Sequence, residues 1–248
     1  MTPNIQGSPV PHEMVDMSYV FDETTLYWPT QKKFEMKLTH NGMAEEGYWL
    51  QLEEYHSATH VGTHMDAPCH FAKERWCVDK IPLNHLKAPA AIIDIVKKAE
   101  EDRDALVQIE DLEKWEQLSG QSLDGTIVMI LSGWGRRWSD RESFIGTAGN
   151  DTENFHFPGL SEEAAQWLVD NRKIIGVGTE TISLDHGPSQ KLMAHRILLE
   201  ENIYGLENVA NMEEIPIFGA TLYIMPMKIG QGSGAPTRII ATFPQTSK

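Results

Sequence analysis

Three histidines and an aspartate fall in one short stretch, His60-Val61-Gly62-Thr63-His64-Met65-Asp66-Ala67-Pro68-Cys69-His70-Phe71. Positions 60, 64, 66 and 70 share one parity, so an extended backbone would turn all four side chains to the same face. A helix would not. Asp66 would fall about 200° round from His64, and Gly62 and Pro68 oppose a regular helix. Imidazole and carboxylate converging on one face are ligands for Zn, Mn or Fe. A polar strand edge would account for any one of these residues, and for a lone histidine it would be the better reading. Four such groups interleaved with Gly, Thr and Pro are hard to treat as chance. Dedicated metal sites usually take at least three protein ligands, which this stretch can supply. Cys69 has the opposite parity and is a poor ligand candidate.

The elements around this stretch read as strands mixed with a few helices and no regular βα alternation, which argues for a mixed α/β or α+β domain. Residues 1–13 hold three prolines and read as an irregular arm, and 14–248 as one domain without repeats or a linker. Alternation predicts a first strand over 15–21. Residues 33–38 and 48–56 look like a strand pair, the second leading straight into the histidine stretch. Residues 72–83 are too polar and broken for a core element and suit a partial cover. Apolar runs at 89–96, 126–131 and 173–177 are of the buried-strand kind. Helices are expected over 106–118, with Ile109, Leu112 and Trp115 on one face, and over 162–171 behind the Ser161 cap.

Three further segments complete the reading. Residues 136–157 form a long polar loop holding His156, which by itself is an ordinary loop histidine. Pro188 suits the first turn of a helix running to about residue 201. His195 lies in that helix, and residue type alone makes it a core histidine. The chain turns back over 202–209 with Glu207, then ends in strands over 217–227 and 236–243. Their connector, Gly230-Gln231-Gly232-Ser233-Gly234-Ala235, lacks the Lys-Ser/Thr ending and the following helix of a phosphate loop.

Composition narrows the function classes. The chain has 248 residues, 41% of them hydrophobic, which argues against disorder. A net charge of −15, from 21 basic and 36 acidic residues, disfavours nucleic acid and anionic membranes as partners. No apolar run reaches the roughly 18 to 20 residues that span a bilayer, and the N-terminus lacks the basic-then-apolar order of a signal peptide. That second point does not bear on a leader already removed. Two cysteines, Cys69 and Cys77, imply no disulfide framework, and a cytoplasmic enzyme is the default expectation.

The pattern His60-x-Gly62-Thr63-His64-x-Asp66-x-Pro68-x-His70-Phe71 resembles the signature of the cyclase family of metal-dependent hydrolases, which includes bacterial-type kynurenine formamidases and isatin hydrolases. The likeness extends over about residues 15–243, through Pro226-Met227-Lys228-Ile229 and Ser233-Gly234-Ala235-Pro236-Thr237-Arg238. It implies a swivelling β/β/α fold, usually as a dimer or higher homo-oligomer. It also implies one metal held by His60, His64 and Asp66, and a second held by Asp66, His195 and Glu207. In the formamidase branch a helix histidine is followed twelve residues later by a ligating Glu, as His195 is by Glu207. Isatin-hydrolase-like sequences tend to lack that Glu and look mononuclear. Zn is the expected occupant, two per chain, with Mn as the alternative.

His70, beside the ligands but not needed as one, is the candidate to take the water's proton and deliver it, since histidine's pKa lies near operating pH. By the resemblance Trp28, in Tyr27-Trp28-Pro29, lines the pocket; residue type alone leaves it between a pocket wall and a packed surface turn. Glu74 and Arg75 stand where relatives often carry Gly, so the pocket's shape is expected to differ. The leading expectation is hydrolysis of an aryl formamide such as N-formylkynurenine, with isatin-like ring opening as the alternative. In a different class stands a metal-stabilised binding protein without turnover. A proton shuttle beside a full ligand set argues against it, because a structural site closes its coordination sphere.

Overall fold

The computed structural model describes residues 12–138 and 140–245. In chain order the strands are β1 (His12–Asp16), β2 (Glu35–Met43), β3 (Trp49–His56), β4 (His64–Asp66), β5 (Lys87–Asp94), β6 (Leu106–Val107), β7 (Ile127–Leu131), β8 (Gly159–Leu160), β9 (Gly176–Thr179), β10 (Tyr204–Glu207), β11 (Thr221–Pro226) and β12 (Gly234–Pro244). The α-helices are α1 (Val96–Glu101), α2 (Ile109–Ser119), α3 (Arg141–Ile145), α4 (Glu162–Asn171) and α5 (Met193–Glu200). The large sheet runs β1-β12-β11-β5-β7-β9-β10-β4, and β4 pairs again with β12, so seven strands close into a barrel. This is a mixed α/β fold in one domain, as the sequence implies. β2 and β3 stand apart as a hairpin.

Strands β5, β7, β9 and β10 are parallel neighbours, and their apolar runs follow from burial on both faces. Ala90 and Ile92 of β5 join Met129, Leu222, Ile224 and Ile239 in one core. The alternate residues Ala91 and Ile93 meet Leu112 and Trp115 of α2, Leu168 of α4 and Leu198 of α5 in a second. Ser161 Oγ caps α4 by accepting from Ala164 N at 3.0 Å, an interaction worth about 1 kcal/mol. A third, aromatic cluster of Trp134, Phe144, Phe155 and Phe157 packs with Trp28 and Trp138.

Several boundaries differ from expectation. The first strand covers His12–Asp16 rather than 15–21, because it pairs with the far end of β12. Most of the expected arm, residues 1–11, lies outside the described residues. The strand within the histidine stretch is limited to His64–Asp66: Gly62 has φ +55°, and Pro68–His70 form a 3-10 turn. Segment 136–157 is not a bare loop, since it holds α3 and a 3-10 turn at Thr152–Asn154. Helix α5 starts at Met193 rather than at Pro188, after a left-handed Leu192 (φ +50°). Cys69 and Cys77 are joined in a disulfide, although the sequence implied none. The turn that carries His70 and Phe71 folds back through a Cys69 N–H bond to Trp76 O, and this brings the two cysteines together.

Candidate metal centre

Strand β4 is only three residues long, yet both its edges are used. Asp66 lies opposite Gly205 of β10 and Gly234 of β12, while Met65 turns into the barrel core. His64 and Asp66 therefore face the other way, together with Glu207, which is paired with His64 in register. His60 precedes the strand. Its ring rests on the Cα of Gly234, where any side chain would collide with it. Gly62 makes the bend between them; a Cβ there would meet Thr25 and Phe21 at 2.8 and 2.9 Å. From the other side α5 delivers His195.

The donor atoms converge. Asp66 Oδ1 lies 2.7 Å from His60 Nδ1 and 3.1 Å from His64 Nε2. Asp66 Oδ2 lies 3.2 Å from His195 Nε2, which is 3.0 Å from Glu207 Oε1. Two sets could each hold a metal ion, His60/His64/Asp66 and Asp66/His195/Glu207, sharing the aspartate. The structure thus brings all five expected ligands into one place despite the broken strand.

Tautomers sharpen the case. His64 Nδ1 donates to Gly62 O at 2.9 Å, which leaves Nε2 as a bare lone pair if the ring is neutral. That atom is buried and makes no aligned hydrogen bond. His195 Nδ1 is 2.7 Å from Asp185 Oδ2, so a neutral ring again aims a lone pair at two carboxylates. Lone pairs facing carboxylate oxygens need a positive charge between them. Burial opposes protonation of His64, but Asp66 and Glu207 override it and hold the ring up to about 9. Burial and the charge of Asp66 push Glu207 up. A divalent ion meets the same demand, and this donor set of imidazole and carboxylate fits one.

Asp185 is the residue that sequence reading passed over. Its carboxylate also accepts from Ala194 N at 3.0 Å and His195 N at 3.2 Å, in the first turn of α5. Burial opposes its ionisation, but the bond to His195 holds its carboxyl below the ordinary range. A carboxylate fixing the far nitrogen of a ligating histidine is the usual second partner of such a ligand. The usable signal was Asp185 itself, standing just before the helix that carries His195. Ser233 was missed for the same reason: its Oγ lies 3.1 Å from His60 Nε2, from within the glycine-rich connector.

His70 stacks on His60 with ring centroids 4.0 Å apart, beside the cluster rather than in either ligand set. Burial, reinforced by the neighbouring imidazoles against Asp66, pushes it down to about 4. A pocket of about 230 Å³ opens over these groups. Trp28, Thr30, Gln31, Phe71, Ile182 and Leu192 wall it, and among the described residues no Lys or Arg lines it. Trp28 stands edge-on to Phe155 at 5.2 Å, and Phe71 leans over His195 at 4.9 Å. The expected cover over 72–83 contributes none of the lining; its neighbours His70 and Phe71 do.

The Cyclase family model matches residues 15–186. An isatin hydrolase of Roseibium aggregatum is 31% identical over 205 residues, 79% of this chain and 74% of that protein. A kynurenine formamidase of Salinibacter ruber is 26% identical over 227 residues, 92% of this chain and 96% of that one. Among solved structures, isatin hydrolase A from Ralstonia solanacearum superposes with a TM-score of 0.86 at 29% identity, covering 94% of this chain and 92% of that one. With a family match over more than half its length and a fold that superposes on an isatin hydrolase, the chain belongs to the Cyclase family of hydrolases.

Proposed function

We propose that this protein is a metal-dependent amidohydrolase that cleaves a C–N bond in a small aromatic substrate. The observation that carries this reading is the opening of a metal-competent ligand cluster onto an apolar pocket walled by Trp28 and Phe71. A structural metal site would be closed over. Bound there, a divalent ion supplies a water acidic enough to ionise near neutral pH and polarises a carbonyl.

The chain's own residues would do the rest. Trp28 holds the aromatic ring by stacking. Water adds to the amide carbon, the C–N bond breaks, a carboxylate remains and the departing nitrogen takes a proton. His70, neutral and adjacent to the ligands, accepts the proton of the water and returns it to that nitrogen. The stack on His60 holds its ring in place for both transfers.

Two substrates divide the family, and the pocket bears on the choice. N-formylkynurenine carries an amino-acid group whose carboxylate calls for a cation, and among the described residues no Lys or Arg lines the pocket. A neutral cyclic amide of the isatin type makes no such demand, so ring opening moves ahead of formamide hydrolysis in our reading. Glu207 favours the second reading, since it completes a second ligand set of the kind the formamidase branch uses. Zn, two per chain, is the occupant we propose, with Mn as the alternative.

The test is to reconstitute the protein with Zn or Mn, count ions per chain, and follow isatin and N-formylkynurenine by absorbance. Turnover of isatin well above that of the formamide is expected. Preference for the formamide would reverse the order, and turnover of neither would sink the amide assignment. Two ions are expected, with Glu207→Ala halving the metal while the fold survives; one ion in the unmutated protein would remove the second site.

A further inference from the structure

A second cavity, of about 250 Å³, opens at the carboxyl ends of β5 and β7 and shares no lining residue with the metal pocket. Val96 and Glu100 of α1 line one side of it, and Gly133, Arg136 and Arg137 the other. The metal pocket takes the same ends of the neighbouring strands, since Ser183 follows β9 and Glu207 ends β10. Ligands of open α/β sheets bind outside the carboxyl ends of the strands. The loop after β7 is fixed by Glu180, which is buried and accepts from Ser132 N at 2.7 Å, Trp134 N at 3.1 Å and Gly135 N at 3.2 Å. Gly133 has φ +70°, and a Cβ there would stand 3.5 Å from Val96 and 4.0 Å from Arg136 Cζ. Glycine leaves that ground open beside the guanidinium.

The arginines here lack what the others have. Arg75, Arg172 and Arg238 each pair with a carboxylate. Among the described residues Arg103, Arg136 and Arg137 pair with none, in a chain that holds 36 acidic residues. Arg137 and Arg103 stand over the Trp134 ring, with Cζ 4.4 and 5.1 Å from its centroid. Arg103 donates to Ser143 O at 2.8 Å, and Ser143 lines the cavity. Among the described residues Arg137 Nε is buried without a hydrogen-bond partner. Burial, reinforced by the charge of Arg103, pushes Arg137 down. Packing on an indole accounts for where two of these cations lie, but not for three of them gathered without an anion.

We propose that this cavity binds the phosphate group of inorganic phosphate or of a small phosphate monoester. Three arginines against Glu100 leave two positive charges around it. A phosphate monoester brings about −1.5 to −2 at neutral pH, whereas a carboxylate brings only one charge. The guanidinium forks of Arg136 and Arg137 suit paired oxygens, and Ser143 adds a hydroxyl donor. A volume of about 250 Å³ falls below the roughly 300 to 1,000 Å³ of drug-sized sites, which suits a phosphate with a short substituent.

Titration calorimetry of the metal-loaded protein with inorganic phosphate, at constant ionic strength, tests the proposal. Saturable binding is expected, and Arg136→Ala, at an exposed position, should weaken it by about 10-fold or more. Asp66→Asn, which removes the ligand shared by both metal sets, should leave it unchanged, as phosphate held at the metal would not. Glu100→Gln should tighten it about 2- to 5-fold, because a like charge leaves the rim. Acetate should bind about 10-fold more weakly than phosphate. Glycerol 3-phosphate titrated in parallel separates the two sources: tighter binding than phosphate assigns the ester, weaker binding the free ion. Absence of saturable binding, binding that follows Asp66 rather than Arg136, looser binding in Glu100→Gln, or acetate equal to phosphate would each overturn it. If Arg136→Ala fails to fold, Glu100→Gln and the acetate comparison carry the test.

Discussion

His60, His64 and Asp66 come from one contiguous segment, whereas His195 and Glu207 come from a helix and a strand late in the chain. The early half is shaped by backbone. Gly62 bends the segment and offers its carbonyl to His64, and Gly234 leaves room for the ring of His60. The late half is shaped by charge. Asp185 grips His195 through its ring and its backbone N–H, and Leu184 N donates to Glu207 Oε1 at 3.1 Å. Charge-assisted bonds inside a buried site are strong and directional, while a glycine bend has no isosteric substitute. The two halves should therefore fail in different ways.

Asp66→Asn is expected to have the largest effect, because Asp66 is the ligand common to both sets. Metal analysis should find neither ion, and hydrolysis should fall to background; a retained ion would show that one half stands without the bridge. His70→Ala comes next. It should keep both ions and lose roughly 10²- to 10⁴-fold in turnover. Loss of metal with His70 would make it a ligand and redraw the early half.

Asp185→Asn separates the halves most cleanly. Metal titration should show one site weakened by about 10- to 100-fold and the other unchanged. Equal weakening of both would mean that Asp185 supports the fold at large rather than the late half. The smallest effect is expected from Trp28→Ala, about 1 kcal/mol in binding of an aromatic substrate, with metal content intact. Unchanged kinetics would reduce Trp28 to packing against Phe155.

The contrast also explains what could be read from sequence. His60, His64, Asp66 and His70 share a parity within one segment, and that local pattern announced a metal site even though the extended run it presumes breaks at Gly62 and Pro68. His195 and Glu207 have no such local signature, and only the family likeness connected them to the rest. Asp185 was invisible because its role depends on where α5 begins, and Pro188 suggested a start five residues too early. Apolar runs located β5 and β7 closely, since burial on both faces leaves an unambiguous mark. Barrel closure was not legible: the second edge of β4 pairs with Gly234–Pro236, of which Gly234 and Ala235 read as connector.

That closure has a consequence for how the protein is made. The seam joins Asp66 to Gly234, residues far apart in the chain, and the parallel strands between them pair only through crossovers. Contacts of such long sequence separation form late and fold slowly. During synthesis the early three ligands emerge long before their barrel exists. They could capture an ion while His195 and Glu207 are still unmade, so the two sets would fill in the order in which the ribosome delivers them.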